Sequence, residues 1–365
     1  MDAYPLVQRV ALYVTLACNL HCRHCYIDGS PTAARLGESD RSRLVALVAS
    51  LGKPVDLTGG EPFMVGDLAR LVGDLVGAGA RVSSVFTNAT LLTHRERMLR
   101  EIIDTAGPLR WYVSLDGDER AHDALRGHGS FRAALEGADR LRALGQQVFI
   151  NTMLHAGVDT AALERLHDVV ETHGFERWRL DSPFNAGAWT DNRAQAALST
   201  QESIALLADV VGRWAAQGMP FELEAGHVLK YLDGMAYFLD SYTDDDPVCP
   251  CRTFPVWPNA DVSWCQDLSD PQFVVGNLLR DGIDPVYDSY APFKTRTVAD
   301  VAASNGVCSV CDLLSFCGTG CRVGALGACA GVDGPDPGAC RLHTERLYQP
   351  VTRALHEALA RRAHD

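Results

Sequence analysis

The sequence is short of positive charge and has no long apolar run. Its 33 Lys and Arg residues face 46 Asp and Glu, for a formal net charge of −13, which argues against a nucleic-acid partner. No apolar run approaches the roughly 20 residues of a membrane-spanning helix. No basic and then apolar signal segment precedes the first predicted strand. These absences predict a soluble, cytoplasmic protein that binds neither membrane nor nucleic acid.

Cysteine, by contrast, is abundant, with 12 in 365 residues. In a cytosolic chain this number indicates metal or cluster ligation rather than disulfides. Cys18, Cys22 and Cys25 follow an apolar, strand-like run at residues 10–14. A four-iron cluster takes four ligands, so three local cysteines leave one iron open to a substrate or cosubstrate. Zinc also prefers four ligands, and a three-cysteine zinc site is the alternative interpretation.

Short apolar runs alternate with amphipathic patterns from residue 8 to about 215. The predicted strands are 9–16, 53–58, 81–87, 109–116, 147–154 and 176–182. The predicted helices are 40–52, 67–78, 93–105, 130–145, 159–173 and 201–217. Such strand–helix units imply parallel strands with right-handed crossovers. We therefore predict an α/β fold, a partial (β/α)6 TIM barrel whose chemistry lies at the carboxyl ends of its strands.

The chain divides into three parts by composition. Residues 1–215 form the predicted barrel, and residues 216–247 form a bridge with a helical piece at 228–239. Residues 248–365 form a small domain that is rich in Cys, Gly and Pro and ends in a C-terminal helix at 341–362. Because most of this domain lacks long apolar periods, it needs covalent or metal staples to be stable.

The cysteine loop, with Tyr26 after its third cysteine, resembles the CxxxCxxC-aromatic signature of radical S-adenosylmethionine (SAM) enzymes. The resemblance implies a [4Fe–4S] cluster whose open iron chelates the methionine amino and carboxylate groups of SAM. It also implies that the reduced cluster donates an electron to the sulfonium, which releases a 5′-deoxyadenosyl radical that abstracts a substrate hydrogen. The electron then comes from an external one-electron reductant of the flavodoxin or ferredoxin type.

Further motifs are similar to those of the same family. Gly59-Gly60-Glu61-Pro62, directly after the second strand, matches the GGEP motif whose backbone binds the SAM amino group. The segment from 114 to 127 looks like the SxDGxxxxHDxxRG string of relatives that carry an extra cluster domain. Candidate contacts to the SAM carboxylate and ribose are then Asn88 and Ser114.

Three other polar residues in the barrel allow two interpretations each. Arg126 either pairs the SAM carboxylate or holds Asp116 or Asp123 in a salt bridge. Asn151, in an otherwise apolar strand, needs a partner if it is buried, and that partner is a cosubstrate edge or a backbone group. Asp181, at the end of strand six, contacts substrate or adenosine, or has a structural role.

The tail contains nine cysteines, and its run Cys308-x2-Cys311-x5-Cys317-x3-Cys321 resembles the SPASM domain of many radical SAM enzymes. The resemblance implies two auxiliary [4Fe–4S] clusters, hence three clusters in all. It assigns the outer cluster to Cys308, Cys311, Cys317 and Cys340. It assigns the inner cluster to Cys321, Cys265, Cys251 and Cys249.

Some details of the tail stay open. Cys249 and Cys251 are only two positions apart, and without Cys249 the inner cluster has an open iron. Cys329 is the spare thiol, and Cys329 or Cys249 is a candidate hydrogen donor to a product radical. The family's glycine five positions before Cys265 is Ala260 here. A zinc ribbon built from the motif alone would leave five tail cysteines unused.

SPASM relatives mostly modify peptides, so the resemblance predicts a maturase that cross-links, oxidises or epimerises a ribosomally made peptide. Many such enzymes carry an N-terminal peptide-recognition extension, whereas only about nine residues precede the first strand here. A separate recognition protein would compensate. The alternative is a radical dehydrogenase or epimerase of a small molecule such as a sugar or cyclitol. An electron carrier or a zinc-structured binding protein would leave the GGEP and SxDG motifs unexplained.

Overall fold

One sheet organises the computed structural model, which describes residues 2–27, 36–183, 187–226, 228–233, 235–238, 241–249, 251–268, 270–328 and 331–362. The described strands are β1 (Arg9–Tyr13), β2 (Pro54–Thr58), β3 (Arg81–Thr87), β4 (Arg110–Ser114), β5 (Gln147–Met153), β6 (Arg177–Asp181), β7 (Glu222–Ala225), β8 (Leu229–Leu232), β9 (Met235–Phe238), β10 (Thr253–Val256), β11 (Asp261–Ser263) and β12 (Val274–Asn277). Their order across the sheet is β12-β11-β10-β1-β2-β3-β4-β5-β6-β7-β8-β9.

Helices follow most of the strands. The described helices are α1 (Glu38–Ser50), α2 (Leu68–Gly77), α3 (Glu96–Ala106), α4 (Glu119–Arg126), α5 (Ser130–Ala143), α6 (Thr160–Thr172), α7 (Ala188–Ala196), α8 (Thr200–Ala216), α9 (Leu278–Asp281), α10 (Ile283–Thr295), α11 (Val298–Ala303), α12 (Leu314–Cys317), α13 (Arg322–Gly327), α14 (Pro337–Thr344) and α15 (Gln349–Arg362). None of these helices is both long and apolar enough to cross a membrane.

Strands β1 to β6 are parallel neighbours, which confirms the predicted partial α/β barrel. Side chains alternate between the two faces of each strand. The face toward the helices is apolar, and Trp111 and Trp178 on it are fully buried. On the other face Phe86, Tyr112 and Phe149 stack across β3, β4 and β5, with ring centroids 4.3 and 5.2 Å apart. The sheet thus presents an aromatic and polar concave surface.

The predicted helical piece at 228–239 is wrong, because β8 and β9 form an antiparallel hairpin there. Leu232 pairs with Met235 across the turn, and Asp233 has a φ of 52°. The sequence Asp233-Gly234 is a strong hairpin signal, because such turns need positive φ. Tertiary pairing beside β7 therefore overrides the apolar spacing that had suggested a helix.

The tail extends the barrel's own sheet. Strand β10 pairs with β1 in parallel, and β11 and β12 follow in antiparallel order. Ala260, at the position of the family's glycine, is buried with a φ of 68°. Since alanine adopts this region at a cost of about 1–2 kcal/mol, the turn explains why glycine suits the position.

The predicted C-terminal helix at 341–362 is divided into α14 and α15. The break lies near Arg346, which has a φ of 51°. Helix α15 packs on α8 and buries Val351, Leu355 and Ala358 in the main apolar core. The tail therefore ends against the barrel.

Candidate active site

The cysteine loop begins where β1 ends, and its stem is bonded to the loop after β2. The Gly60 N–H donates to the Thr15 carbonyl at 2.8 Å, and the Glu61 N–H donates to the Ala17 carbonyl at 2.8 Å. Cys18 follows this stem directly. The first cysteine is thus positioned by the backbone of a neighbouring strand's loop.

The two glycines of this loop are required by the cysteine stem itself. A Cβ on Gly59 would lie 2.2 Å from the Thr15 carbonyl oxygen, and a Cβ on Gly60 would lie 2.3 Å from that of Ala17. Gly59 also has a φ of 144°, which L side chains rarely adopt. The motif predicted that its backbone approaches a ligand closely. In the structure this backbone also approaches the backbone of the cysteine stem.

We expect Gly60→Ala to push the stem away and to lower stability by about 1–3 kcal/mol, the cost of overpacking. All three atoms nearest to the added methyl are backbone atoms, which cannot rotate away. The melting temperature and the iron bound at the loop should both fall. Gly66→Ala, with nothing within 4 Å of the new Cβ, is the control. A Gly60→Ala protein with unchanged stability and iron content would contradict this packing role.

Glu61 links the loop after β2 to the end of β3. Its fully buried carboxylate accepts hydrogen bonds from the Phe63 N–H at 3.1 Å, the Thr87 hydroxyl at 2.8 Å and the Asn88 N–H at 2.7 Å. Burial raises the pKa of Glu61 to about 7, against these hydrogen bonds. The Glu61 side chain is thus used inside the protein, and its neighbour Pro62 is buried as well.

Donors approach two of the three loop sulfurs. The Leu20 N–H lies 3.4 Å and the Asn88 amide nitrogen 3.8 Å from Cys18 Sγ. Arg126 Nη1 lies 3.8 Å from Cys22 Sγ. Burial raises the pKa of the Cys18 thiol to about 11 and also raises that of Cys22. Because metal binding deprotonates a coordinating thiol outright, such donors suit thiolate ligands.

Arg126 forms a buried ion pair with Asp116 at the end of β4. Its Nε donates to Asp116 at 2.5 Å, and its Nη2 lies 3.1 Å from His24 Nε2. Despite burial, Arg126 holds the pKa of Asp116 well below its usual range. Asp123 instead accepts backbone N–H groups at the start of α5. Arg126 therefore fixes the cysteine loop to the end of β4.

The Asn88 amide is engaged within the protein. Its oxygen accepts the Thr90 N–H and hydroxyl at 3.0 and 2.7 Å, and its nitrogen donates to Asn19 at 3.0 Å. Asn19 belongs to the cysteine loop. The predicted SAM contact at Asn88 is thus placed beside Cys18 with its amide already bonded.

Ser114 and Asn151 lie opposite each other on β4 and β5, and Asn151 pairs in register with Arg179 on β6. They form a polar row on the concave surface, toward the carboxyl ends of the strands. The Asn151 amide oxygen is buried and has no hydrogen-bond partner among the described residues. Buried polar atoms are usually paired, so this oxygen is available to a donor outside the described residues.

Tyr26 connects the cysteine loop to the tail. Its hydroxyl lies 2.9 Å from that of Tyr13, which donates to the Gln266 carbonyl at 3.1 Å. Tyr13 is buried and stacks on Trp257 at 4.1 Å. This contact joins the third-cysteine end of the loop to the segment that carries Cys265.

Asp181 lies at the same edge of the sheet and accepts a hydrogen bond from Arg179 at 2.7 Å. A second carboxyl group, that of Asp267, is buried nearby and lies 3.8 Å from Cys265 Sγ. Burial and then Asp181 raise the pKa of Asp267 to about 7. The Asp181 side chain therefore belongs to an acidic cluster between barrel and tail.

Four tail cysteines form what we call the outer group: Cys308, Cys311, Cys317 and Cys340. Burial, then Cys340, Asp336 and the other two cysteines raise the pKa of Cys317 to about 12. Burial, Cys308 and Cys311 likewise raise the pKa of Cys340. Short helices present these thiols, since Cys317 ends α12 and Cys340 lies in α14.

Three other tail cysteines, Cys249, Cys251 and Cys265, form the inner group around α10. After burial, their charges raise the pKa of Tyr290 on that helix. Cys321 lies near Asp336 and Asp267, which raise its pKa after burial. Cys329 lies outside the described residues. The eleven described cysteines form no disulfide.

No three His, Cys, Asp or Glu side chains of the described residues converge as ligands of a single metal ion. The chemistry of the loop fits a multinuclear cluster, in which each thiolate binds a different iron and the sulfurs lie further apart. Three thiols with donors aimed at two of them fit such a cluster.

The parallel partial barrel and the three-cysteine loop after its first strand are the features that this chain shares with known proteins. Residues 12–170 of the chain match the family model of the radical SAM superfamily. The chain is 33% identical over 158 residues to the AdoMet-dependent heme synthase of Nitratidesulfovibrio vulgaris, covering 41% of each chain. The chain is 28% identical over 206 residues to the GTP 3′,8-cyclase of Chlorobaculum tepidum, covering 54% of this chain and 61% of that one.

Solved structures match more of the chain, at low identity. SuiB of Streptococcus suis bound to S-adenosylmethionine superimposes with a TM-score of 0.69 at 18% identity, covering 92% of this chain and 77% of that one. Another SuiB structure contains the precursor peptide SuiA. The anSMEcpe protein with bound AdoMet and the Kp18Cys peptide superimposes with a TM-score of 0.69 at 14% identity, covering 96% and 98%. The fold of these proteins therefore extends through the tail.

Sequence reasoning missed several residues of this region. No sequence motif pointed to five of them: Tyr13, Trp257, Asp267, Arg179 and Lys294. A signal existed for Arg179, because it occupies a concave-face position in a strand whose alternate residues are apolar. The others come from separate parts of the chain, and only the fold brings them together.

Proposed function

We propose that this chain is a radical SAM enzyme that carries two auxiliary four-iron clusters and modifies a ribosomally made peptide. The observation that carries the proposal is the separation of the tail cysteines into an outer and an inner group. When bound and reduced, the loop cluster supplies the electron that splits SAM into methionine and a 5′-deoxyadenosyl radical, which removes a hydrogen atom from the substrate. The protein binds, orients and excludes water.

The chain's own residues divide the work of holding SAM. Cys18, Cys22 and Cys25 hold the cluster. In the segment 59–62, the carbonyls of Gly59 and Gly60 would accept from an ammonium group, since those of Glu61 and Pro62 accept the Met64 and Val65 N–H groups. Ser114 and Asn151 offer a hydroxyl and an unpaired amide oxygen on the concave surface.

A peptide substrate is supported by the two structural neighbours that contain peptides, SuiB with SuiA and anSMEcpe with Kp18Cys. The open, polar concave surface suits such a substrate. A small-molecule substrate is the second candidate, because the heme synthase and GTP cyclase are the relatives with closer sequence similarity to the barrel. The outer and inner groups fit either candidate, since their clusters would take up the second electron of any net oxidation, and the peptide-bound neighbours are what favour the first.

The test is anaerobic reconstitution with iron and sulfide, followed by reduction with dithionite in the presence of SAM. We expect about twelve irons per chain, from three four-iron clusters, and formation of 5′-deoxyadenosine. Short peptides encoded beside the gene are then added, and their mass change is measured. A chain that binds only about four irons would contradict the auxiliary clusters, and absence of 5′-deoxyadenosine would contradict the enzyme. A mass change in a sugar instead of any peptide would select the second candidate.

A further inference from the structure

Lys294, in the last turn of α10, is buried to an unusual degree for a lysine. Its side chain is 1% exposed. A lysine is almost never fully buried unless its charge is paired, because an uncompensated buried charge is strongly destabilising. The molecule must therefore supply a negative charge near this ammonium.

The direct partners of the ammonium belong to the inner group. Lys294 Nζ donates to Cys249 Sγ at 3.2 Å and to the Cys251 carbonyl at 2.7 Å. Within the described ranges, no carboxylate forms an ion pair with it, although Asp267 is close enough for Lys294 to lower its pKa in part. The sulfur of Cys249 is thus the contacting atom able to carry the compensating charge.

Aromatic packing fixes the ammonium in this position. It lies 5.3 Å from the centroid of the Tyr290 ring and 5.4 Å from that of Phe293. Phe293 stacks on Trp264 at 5.0 Å, and the Tyr290 hydroxyl donates to the Thr253 carbonyl at 2.9 Å. The ammonium therefore lies among aromatic rings and faces the Cys249 sulfur rather than water.

We propose that Lys294 raises the reduction potential of the inner auxiliary cluster through its charge and through its hydrogen bond to Cys249, which the SPASM resemblance assigns to that cluster. The inference rests on the proposed function, since it requires that cluster. One-electron reduction forms and breaks no covalent bond, but it adds one negative charge to the cluster. A fixed ammonium stabilises that added charge, and net charge and hydrogen bonds to sulfur set such potentials. Lys294 thereby favours electron transfer into the inner cluster. Because it acts through Cys249, it is a positioning residue and not a catalytic one.

The test compares holoenzymes of wild type, Lys294→Met, Lys294→Gln and Lys294→Arg by dithionite titration followed by electron paramagnetic resonance. The inner-cluster signal is identified by its loss in Cys265→Ala. We expect Lys294→Met to lower the equilibrium constant of reduction at least about tenfold, which is about 59 mV for one electron. Lys294→Gln, which keeps a donor, should lie between Met and wild type, and Lys294→Arg should recover most of the shift. Lys230→Met removes the same charge from an exposed position and should leave the potential unchanged.

Each outcome decides the inference. An inner-cluster potential in Lys294→Met that equals that of wild type overturns it. If Lys294→Met loses the inner iron, Lys294→Gln is used for the test instead. The inference is overturned if Lys294→Gln has the wild-type potential or also loses the inner iron. A wild-type chain that assembles no inner cluster would instead overturn the proposed function, so iron counting on wild type separates the two failures.

Discussion

Cys18→Ala is expected to abolish formation of 5′-deoxyadenosine from SAM. The loop has three thiols, so losing one leaves a cluster with two protein ligands. Even a change in the residues that merely orient metal ligands costs about 10–100-fold in affinity or activity, and removal of a ligand should cost more. The Leu20 N–H and the Asn88 amide, now aimed at Cys18 Sγ, would face a methyl group.

The measurement is chromatographic quantification of 5′-deoxyadenosine after dithionite reduction, together with iron counting. Iron should fall by about four per chain, the content of one cluster. His21→Ala is the matched control, because His21 is an exposed residue of the same loop and has no thiol. Wild-type turnover by Cys18→Ala would show that the loop does not hold the cluster that cleaves SAM.

The barrel was predictable because its signals are local. Each strand from β1 to β6 is an apolar run next to an amphipathic helix, and the parallel order follows from that alternation. The predicted helix at 201–217 is α8, which begins with a capping box at Ser199 and Glu202. The cysteine loop was equally local, since all three thiols lie within eight residues.

Short hairpin strands were harder to predict than the long periodic elements. Strands β8 and β9 have four residues each, too few for a clear period. Their identity depends on pairing beside β7, a long-range contact. The dipeptide Asp233-Gly234 was the one local clue.

Contacts across the sequence explain the remaining differences at the site. Gly59 and Gly60 meet a stem some 45 residues earlier in the chain. Lys294 lies in a helix that reads as amphipathic, and its burial becomes evident only when Cys249 and Cys251 are placed against it. By sequence Arg126 had three possible partners, the SAM carboxylate, Asp116 and Asp123, and in the fold it forms an ion pair with Asp116. Local pattern therefore predicted the cysteine loop, whereas the contacts of these side chains depend on tertiary structure.

Cys311→Ala tests whether the outer group takes part in substrate chemistry. We expect this variant to keep SAM cleavage, because the contacts of Cys18 and Cys22 involve no residue of the outer group. Product formation should fall below detection, because a net oxidation must remove a second electron after hydrogen abstraction and the proposed outer cluster would carry it away. Iron should fall by about four per chain.

The adjacent residue provides a control for this experiment. Val310 is 79% exposed, has no metal-binding group and lies one position from Cys311, so Val310→Ala should retain iron, SAM cleavage and product. Liquid chromatography with mass detection measures 5′-deoxyadenosine and modified substrate in the same sample. The decisive quantity is the ratio of 5′-deoxyadenosine to modified substrate. Uncoupled SAM cleavage raises this ratio, whereas general instability lowers both products together. If Cys311→Ala loses iron but forms the modified substrate at the wild-type ratio, the outer group is structural and the electron leaves by another route.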